Sequence, residues 1–578
     1  MSSLGSFVWS IADQLRGVYR PNQYGGIVLP FTILRRLDCI LAASRDEVRD
    51  LATKFDGGAL DVQVKRKTGL GFYNTSEYDF ARLLEDPEGL RANLLDYVSR
   101  FSSNIDVFER FGFEAEVAKL DEKNRLYLVV SKFAEVDLHP DTVPNAEMGD
   151  LFEELIRKFA EASNEEAGEH YTPRDAIRLM VDLLFAEDSK ALLEPGTVRS
   201  IYDPTAGTGG MLSVAEERLL ERNPDARLRL YGQEINDQSY AICKSDMIAK
   251  GQDASNIQLG DTLADDLFWD KTFDFCMSNP PYGVDWKASE EQVKAERSKT
   301  GPSGRFGPGL PAVSDGQMLF LTHLAHKMRP HHEGGGRAGI VLNGSPLFNG
   351  AAESGQSEIR RWLLENDLVE AIVALPTNMF FNTGIATYIW LLANSKRPER
   401  AGKVQLIDAT SFWTKMRKNL GSKGREIDAA SRQKVLELYD AYEDNEHSKI
   451  FANTDFGYWT ITVERPLLDD DDKPIVDRKG NPKPDAKKRD TENIPFTYGG
   501  NTEGAHSQAA TIKAYFEAEA LPHVPDAWID HKKTKVGYEI PFTRHFYQYV
   551  PPRPLAEIDA DLEAQVAKIL SLLREIEA

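Results

Sequence analysis

Apolar positions along the chain change their spacing twice. From residue 6 to about 130 they return every three or four residues. Phe7, Val8, Ile11, Leu15 and Val18 share such a face, and Ile27–Ala43 predicts a second apolar helix. Polar, glycine-containing stretches such as Gly57–Gly71 are expected to separate these helices. From about 150 to 410, short apolar runs alternate with helical stretches. The runs are Ser200–Asp203, Leu228–Gln233, Ile257–Leu259, Phe273–Met277, Ala338–Leu342, Val369–Ala374, Tyr388–Leu392 and Val404–Ile407. That alternation predicts an α/β fold with a parallel, doubly wound sheet, and ligands in such sheets sit beyond the carboxyl ends of the strands. Helical spacing resumes at the end, where Ile558, Leu562, Val566, Ile569, Leu573 and Ile576 form one face of Ala556–Ala578. It suits packing on its own domain or a helical bundle with a partner.

These shifts divide the chain into an N-terminal helical domain (1–145), an α/β domain (146–425), an extension (426–550) and an amphipathic helix (551–578). The length of 578 residues agrees with about three domains at ~100–200 residues each. The stretch 466–495, rich in Pro, Lys and Asp, is expected to be a solvated loop. A hydrophobic content of 41% supports real cores and disfavours global disorder. No apolar run reaches the roughly 20 residues that span a bilayer, and Met1–Ser10 lacks a signal-peptide plan. The three cysteines, Cys39, Cys243 and Cys276, form no C-x-x-C pair, which disfavours a disulfide framework and a cysteine-based metal site and suits a cytoplasmic protein. Cys276 reads as a buried strand residue, and His331-His332-Glu333 as a solvated part of a Gly-rich loop.

A net charge of −22 argues against unaided affinity for nucleic acid. Contact with DNA then needs a partner or a local basic strip. Two strips are available: Lys415, Arg417, Lys418, Lys423 and Arg425, with no acid among them, and Lys287, Lys294, Arg297, Lys299 and Arg305, mixed with glutamates.

The candidate chemistry lies at predicted strand ends. Asp203-Pro204-Thr205-Ala206-Gly207-Thr208-Gly209-Gly210 follows one strand and precedes an apolar helix. Its glycines permit a tight turn and close approach to a ligand. It is neither a P-loop nor a full G-x-G-x-x-G, since residue 212 is Leu. Glu234 ends the next strand, where a carboxylate reaches ribose hydroxyls in nucleoside-binding folds. Asp261 ends the third and is placed to accept from an adenine amino group. Each acid alone is equally a helix cap; three in succession point to a nucleoside cofactor. At the fourth strand end stands Ser278-Asn279-Pro280-Pro281-Tyr282. Its prolines impose a rigid turn that exposes the Asn279 amide oxygen and the Pro280 carbonyl as convergent acceptors for both hydrogens of a planar exocyclic amine. Tyr282 offers a face on which a base stacks.

Asn-Pro-Pro-Tyr after such a turn resembles the signature of S-adenosylmethionine-dependent amino-group methyltransferases. Gly168-Glu169-His170-Tyr171-Thr172-Pro173-Arg174, Tyr24–Pro30, Thr383-Gly384-Ile385, Gly537–Phe542 and Phe546–Tyr549 extend the likeness over nearly the whole chain. Together they resemble the modification (methyltransferase) subunit of type I restriction-modification systems, the N6-adenine DNA methyltransferase family. The resemblance implies a Rossmann-like methyltransferase sheet with an N-terminal helical domain and a C-terminal helical tail. It implies that Glu169, His170, Tyr171, Thr172, Pro173, Arg174, Asp203, Thr205, Ala206, Gly207, Gly209, Glu234 and Asp261 bind S-adenosyl-L-methionine. Asn279, Pro280, Pro281 and Tyr282 would hold a flipped adenine. Phe381 is the candidate second stacking face, with Phe380 competing for the role. No metal is implied.

The partners implied are double-stranded DNA, a specificity subunit holding two copies of this chain, and a restriction and translocation subunit. The terminal helix is the candidate docking element. A solitary or other defence-linked adenine methyltransferase, an RNA N6-adenine methyltransferase and a non-catalytic nucleotide-binding assembly protein are the alternatives. Cytosine N4 methylation uses similar chemistry.

Overall fold

The computed structural model describes residues 11–577 except 12, 21–22, 145–146, 149–150, 153–154, 156–171, 188, 251, 382, 502–503 and 548–553. They form two units, Met1–Ile540 and Pro541–Ala578.

The N-terminal region is helical, as the periodicity predicts. Gly25–Leu41 buries Ile27, Val28, Phe31, Leu34 and Leu37. Phe31 stacks on Phe133 with ring centroids 5.5 Å apart and meets Phe113 edge-on, which ties together the helices carrying those residues. Ala241, Ile242 and Ile248, from the helix Asp237–Ala249 of the α/β region, join this core. One expectation is overturned here. Gly57–Thr68 is a helix, not a connector. Leu60 and Val64, four residues apart, pack on Val48, Leu51 and Tyr73, and that burial outweighs the two weak glycines at the helix start. Gly69, with φ +76°, closes it in the left-handed conformation.

All eight predicted strands form: β1 (Val198–Asp203), β2 (Arg227–Glu234), β3 (Ile257–Leu259), β4 (Phe275–Ser278), β5 (Arg337–Asn343), β6 (Val369–Ala374), β7 (Thr387–Ala393) and β8 (Lys403–Asp408). The expectation of an all-parallel sheet is corrected. β7 runs antiparallel between β5 and β6. A ninth strand, numbered β11 in chain order (Ser448–Ala452), adds antiparallel to β8 at the sheet edge. The sheet therefore extends beyond residue 425. β6 and β7 bury every residue, since helices cover both faces, and so alternation carries no information about strand direction there.

The strand order is β11-β8-β6-β7-β5-β4-β1-β2-β3. The chain winds outward through β1, β2 and β3, then returns to lay β4 on the other side of β1. This switch point opens a crevice at the carboxyl ends of the strands. Cys276, on β4, is fully buried, as expected of a strand residue.

Between β8 and β11 lies a hairpin of β9 (Thr414–Leu420) and β10 (Lys423–Glu426). After β11, a small antiparallel sheet is built on β12 (Gly457–Glu464), with β13 (Asp490–Pro495), β14 (Trp528–Ile529) and β15 (Lys535–Tyr538) paired to it. Arg360, inside the helix Gly355–Glu365, donates to the Tyr538 carbonyl at 2.6 Å and docks this sheet. The polar stretch 466–495 is exposed for most of its length but is not a plain loop. Leu467, Ile475 and Lys483 exchange backbone hydrogen bonds at 2.8 Å, and residues 490–495 are β13.

The second unit contains the predicted amphipathic helix, Leu555–Glu577, with Leu562, Val566 and Ile569 all more than half exposed. Among the described residues no helix is long and apolar enough to cross a membrane.

Candidate active site

The crevice is a cleft of about 320 Å³, within the ~300–1,000 Å³ of small-molecule sites. Its floor is the turn after β1. Ala206 N–H donates to the Gln233 carbonyl at 3.0 Å, and Thr262 Oγ1 donates to the Pro204 carbonyl at 2.6 Å. Thr205 Oγ1 lies 2.8 Å from Ser278 Oγ. The ends of β1, β2, β3 and β4 are thus tied together before any ligand arrives. Gly209 has φ +83°, and a Cβ there would fall 2.8 Å from Cys243 Sγ. Its role is close packing of the turn against the helix Asp237–Ala249.

Glu234 ends β2 at the cleft. Its carboxylate accepts from Gly207 N–H at 2.7 Å and from Asn236 N–H at 2.8 Å. Those bonds fix the side chain at the cleft. Asp261 also lines the cleft, accepting from Ser289 Oγ at 2.5 Å and Leu263 N–H at 2.9 Å. Asp203 sits beneath, fully buried. Thr205 donates to its Oδ1 through N–H at 2.9 Å and through Oγ1 at 3.1 Å, while Oδ2 has no hydrogen-bond partner among the described residues. Burial pushes its carboxyl up to about 7, with the charge of Glu234 adding and the Thr205 bonds opposing.

At the end of β4, Asn279 Nδ2 donates to Thr172 Oγ1 at 2.8 Å, and its Oδ1 accepts from Tyr282 Oη at 2.5 Å. Burial raises the Tyr282 phenol pKa, so it stays a neutral donor. Phe380 meets the Tyr282 ring edge-on at 6.1 Å and is 2% exposed, whereas Phe381 is partly exposed. The fold thus gives the competing rings different positions: Phe380 belongs to the core that props Tyr282, and Phe381 lies nearer the surface.

Of the residues singled out from sequence, Thr172, Thr205, Ala206, Gly207, Glu234, Asp261, Asn279 and Pro281 line the cleft. Pro173 precedes the helix Arg174–Ala186, and the Arg174 guanidinium lies 3.8 Å from Glu217. Pro280 is buried in the turn. Glu169, His170 and Tyr171 lie outside the described residues. Ile235, Leu263, Trp286 and Phe320 also line the cleft and were not anticipated. Ile235, directly after the strand-end acid and 66% exposed, carried the one available signal: an apolar residue where a strand meets solvent. Phe320 comes from a distant segment, and Trp286 from the loop just beyond Tyr282, with no local pattern to mark either.

The donor set fits an adenosine-bearing cofactor. Carboxylates end two adjacent strands, apolar walls lie between them, and a buried carboxylate oxygen lacks a partner among the described residues. Among the described residues no group of three or more His, Cys, Asp or Glu is arranged to hold a metal ion.

Comparison with known proteins agrees. Residues 144–456 match the family described as N-6 DNA Methylase, and residues 4–133 match the HsdM N-terminal domain. The chain belongs to the N-6 DNA Methylase family. Its fold is shared with a solved methyltransferase subunit, and it is a methyltransferase enzyme. The Type I restriction enzyme MjaIX methylase subunit of Methanocaldococcus jannaschii is 25% identical over 460 residues, covering 76% of this chain and 77% of that one. The MjaVII methylase subunit of the same organism is 29% identical over 362 residues, covering 61% and 57%. A solved type I restriction-modification methyltransferase subunit from Streptococcus thermophilus aligns with a TM-score of 0.60 at 25% identity, covering 78% and 95%.

Proposed function

We propose that this chain is the modification subunit of a type I restriction-modification complex and transfers a methyl group from S-adenosyl-L-methionine to N6 of a flipped adenine in double-stranded DNA. The observation that carries this reading is the position of Asn279. Its amide stands at the end of β4, in the same cleft as Glu234 and Asp261.

S-adenosylmethionine, when bound, supplies an electrophilic methyl group on a sulfonium. Glu234 is the residue to accept from ribose hydroxyls, and Asp261 from the cofactor's adenine amine. Thr172, Pro173 and Arg174, with Glu169, His170 and Tyr171, belong to the motif that contacts the cofactor in this reading. Adenine N6 is a poor nucleophile because its lone pair is delocalised into the ring. Asn279 Oδ1 and the Pro280 carbonyl, accepting its two hydrogens, localise that pair on nitrogen. Thr172 holds the Asn279 amide in the required orientation through its Nδ2. Tyr282 and Phe381 are the stacking faces for the extruded base. Extrusion costs a few kcal/mol, which protein–DNA contacts offset. The acidic chain reads no sequence by itself in this scheme. A specificity subunit bound to two copies does so, a restriction and translocation subunit joins them, and the whole acts in the cytoplasm.

The test is modification-sensitive single-molecule sequencing of genomic DNA with and without this gene. Loss of N6-methyladenine at a gapped, two-part motif is the expected result. Loss at a short continuous motif marks a solitary methyltransferase, and unchanged adenine methylation rejects DNA as the substrate.

A further inference from the structure

Folding divides the cations of both basic strips. In the second, Arg305 is buried, ion-paired with Glu296 at 2.7 Å, and donates to the Leu263 carbonyl; Lys294 pairs with Glu290, while Lys287, Arg297 and Lys299 are exposed. In the first, the run becomes the hairpin β9–β10, and its cations divide. Lys423 is 4% exposed and spends its ammonium on both oxygens of Asp175, at 3.0 and 2.9 Å. Arg425 lies over the Trp413 ring at 4.0 Å. Lys415 and Arg417, by contrast, are exposed and make no ion pair among the described residues.

The hairpin grips the segment that props the base site. Ser422 N–H donates to the Phe381 carbonyl at 2.8 Å, Lys423 Nζ to the Met379 carbonyl at 3.0 Å, and Gly424 N–H to the Asn378 carbonyl at 3.1 Å. Arg425 donates to Thr377 Oγ1 at 3.0 Å. Gly421, at the turn, has φ +59°, and a Cβ there would fall 2.5 Å from the Phe381 carbonyl oxygen. Residues 377–381 in turn hold Phe380 against Tyr282. A hydrogen-bonded hairpin carrying two cations with no ion partner among the described residues is therefore anchored to the segment that backs Tyr282. Two positions apart on a strand, they share a face with ~6.7 Å between them. In a chain of net charge −22, which repels a polyanion overall, such cations are where a phosphate backbone finds attraction.

Resting on the methyltransferase reading, we propose that the β9–β10 hairpin is a DNA-backbone contact of the methylation site, with Lys415 and Arg417 meeting phosphates beside the extruded adenine. Lys423 is the root of the hairpin and not a DNA contact.

The experiment compares the full chain, copurified with its specificity partner, with the double variant Lys415→Ala/Arg417→Ala. Radiolabelled methyl transfer to unmodified plasmid DNA is measured over a salt series. Lys487→Ala/Lys488→Ala, which removes the same charge from the exposed stretch before β13, serves as the control. The Lys415/Arg417 variant is expected to lose about tenfold or more in kcat/KM for DNA. Its log–log salt slope becomes shallower by ~2, at ~0.9 per phosphate contact. Its kcat at saturating DNA stays within about twofold, and its affinity for S-adenosylmethionine, measured by calorimetry, is unchanged. Lys415→Arg/Arg417→Lys restores the slope, and the control keeps the wild-type slope. An unchanged KM and slope overturn the proposal. So does loss of copurification with the partner at an unchanged salt slope, which assigns these cations to a protein surface. A wild-type complex that binds the cofactor yet methylates no DNA overturns the methyltransferase reading itself.

Discussion

Tyr282 Oη donates a hydrogen bond to Asn279 Oδ1 at 2.5 Å, so the acceptor proposed for the target amine is already engaged by its own motif. The phenol occupies one of that oxygen's two lone pairs and competes with the amine for it. Its hydroxyl is therefore a stand-in for the substrate amine, and its ring the part that serves the base. Tyr282→Phe is expected to retain methyl transfer within about threefold, or to exceed wild type, because it keeps the stacking face. Tyr282→Ala, by removing a stacked ring worth ~1–3 kcal/mol, raises KM for DNA tenfold or more. Steady-state kinetics on plasmid DNA checks both, and a Tyr282→Phe enzyme as crippled as Tyr282→Ala refutes the stand-in role.

Asn279→Ala removes the amide acceptor and the bond to Thr172 together. Loss of one preorganised polar partner of a developing charge costs ~10²–10³-fold in kcat. Calorimetric titration with S-adenosylmethionine is expected to show affinity within about threefold of wild type, since Glu234 and Asp261 are untouched. A matched collapse in cofactor affinity places Asn279 on the cofactor side of the cleft.

Glu234→Gln keeps the shape of the side chain but replaces one acceptor oxygen with a donor. That group would face Gly207 N–H or Asn236 N–H, both donors themselves. The predicted effect is weaker cofactor binding by ~1.5–3 kcal/mol, the worth of hydrogen bonds to a charged group. It is expected in the cofactor KM, with kcat at saturation nearly preserved. A kcat defect with unchanged KM removes Glu234 from the cofactor contacts.

Asp203 makes stability pH-dependent. The folded chain holds this proton up to about pH 7, whereas an unfolded aspartate releases it near ~3.9. Folding therefore takes up a proton between those values, and this contribution to stability falls as pH rises from about 4 to about 7. Asp203→Asn keeps the Oδ1 acceptor for Thr205 and cannot ionise. Its stability relative to wild type is expected to improve between pH 5 and pH 8 by up to about 3 kcal/mol, at 1.36 per pKa unit. Urea denaturation at the two pH values measures it, and parallel curves refute it.

Lys423→Met leaves the Asp175 carboxylate without its ammonium partner, although Ile427 N–H still donates to it at 2.9 Å. Breaking a buried pair costs ~3–5 kcal/mol, and the 17% exposure of the Asp175 side chain places this one at the lower end. Asp175→Asn/Lys423→Met recovers part of that loss. A double-mutant cycle in urea gives the coupling, and additive effects deny the pair its anchoring role.

Much of this protein was readable along the chain. Each strand of the sheet from β1 to β8 is an apolar run bounded by turn residues, and each strand-end motif is a contiguous string. Local propensity acts over just those few residues, so the order β1–turn–β2–acid–β3–acid–β4–Asn-Pro-Pro-Tyr already orders the two halves of a methyl-transfer site. The helix at Gly57–Thr68 escaped because its support, Val48, Leu51 and Tyr73, is tertiary. The direction of β7 escaped because a strand buried on both faces has no alternation to read. The two basic strips looked equivalent as strings. Folding buried Lys423 and Arg305 against Asp175 and Glu296 and left Lys415 and Arg417 outside, since only packing decides which cation finds a carboxylate. Trp286 and Phe320 reached the cleft for the same reason. The sequence by itself determined which chemical groups this enzyme owns and in what order they stand. The tertiary structure decided which of them face the cleft, which are consumed in holding it open, and which stay exposed, because those outcomes depend on neighbours that the chain brings together only by folding.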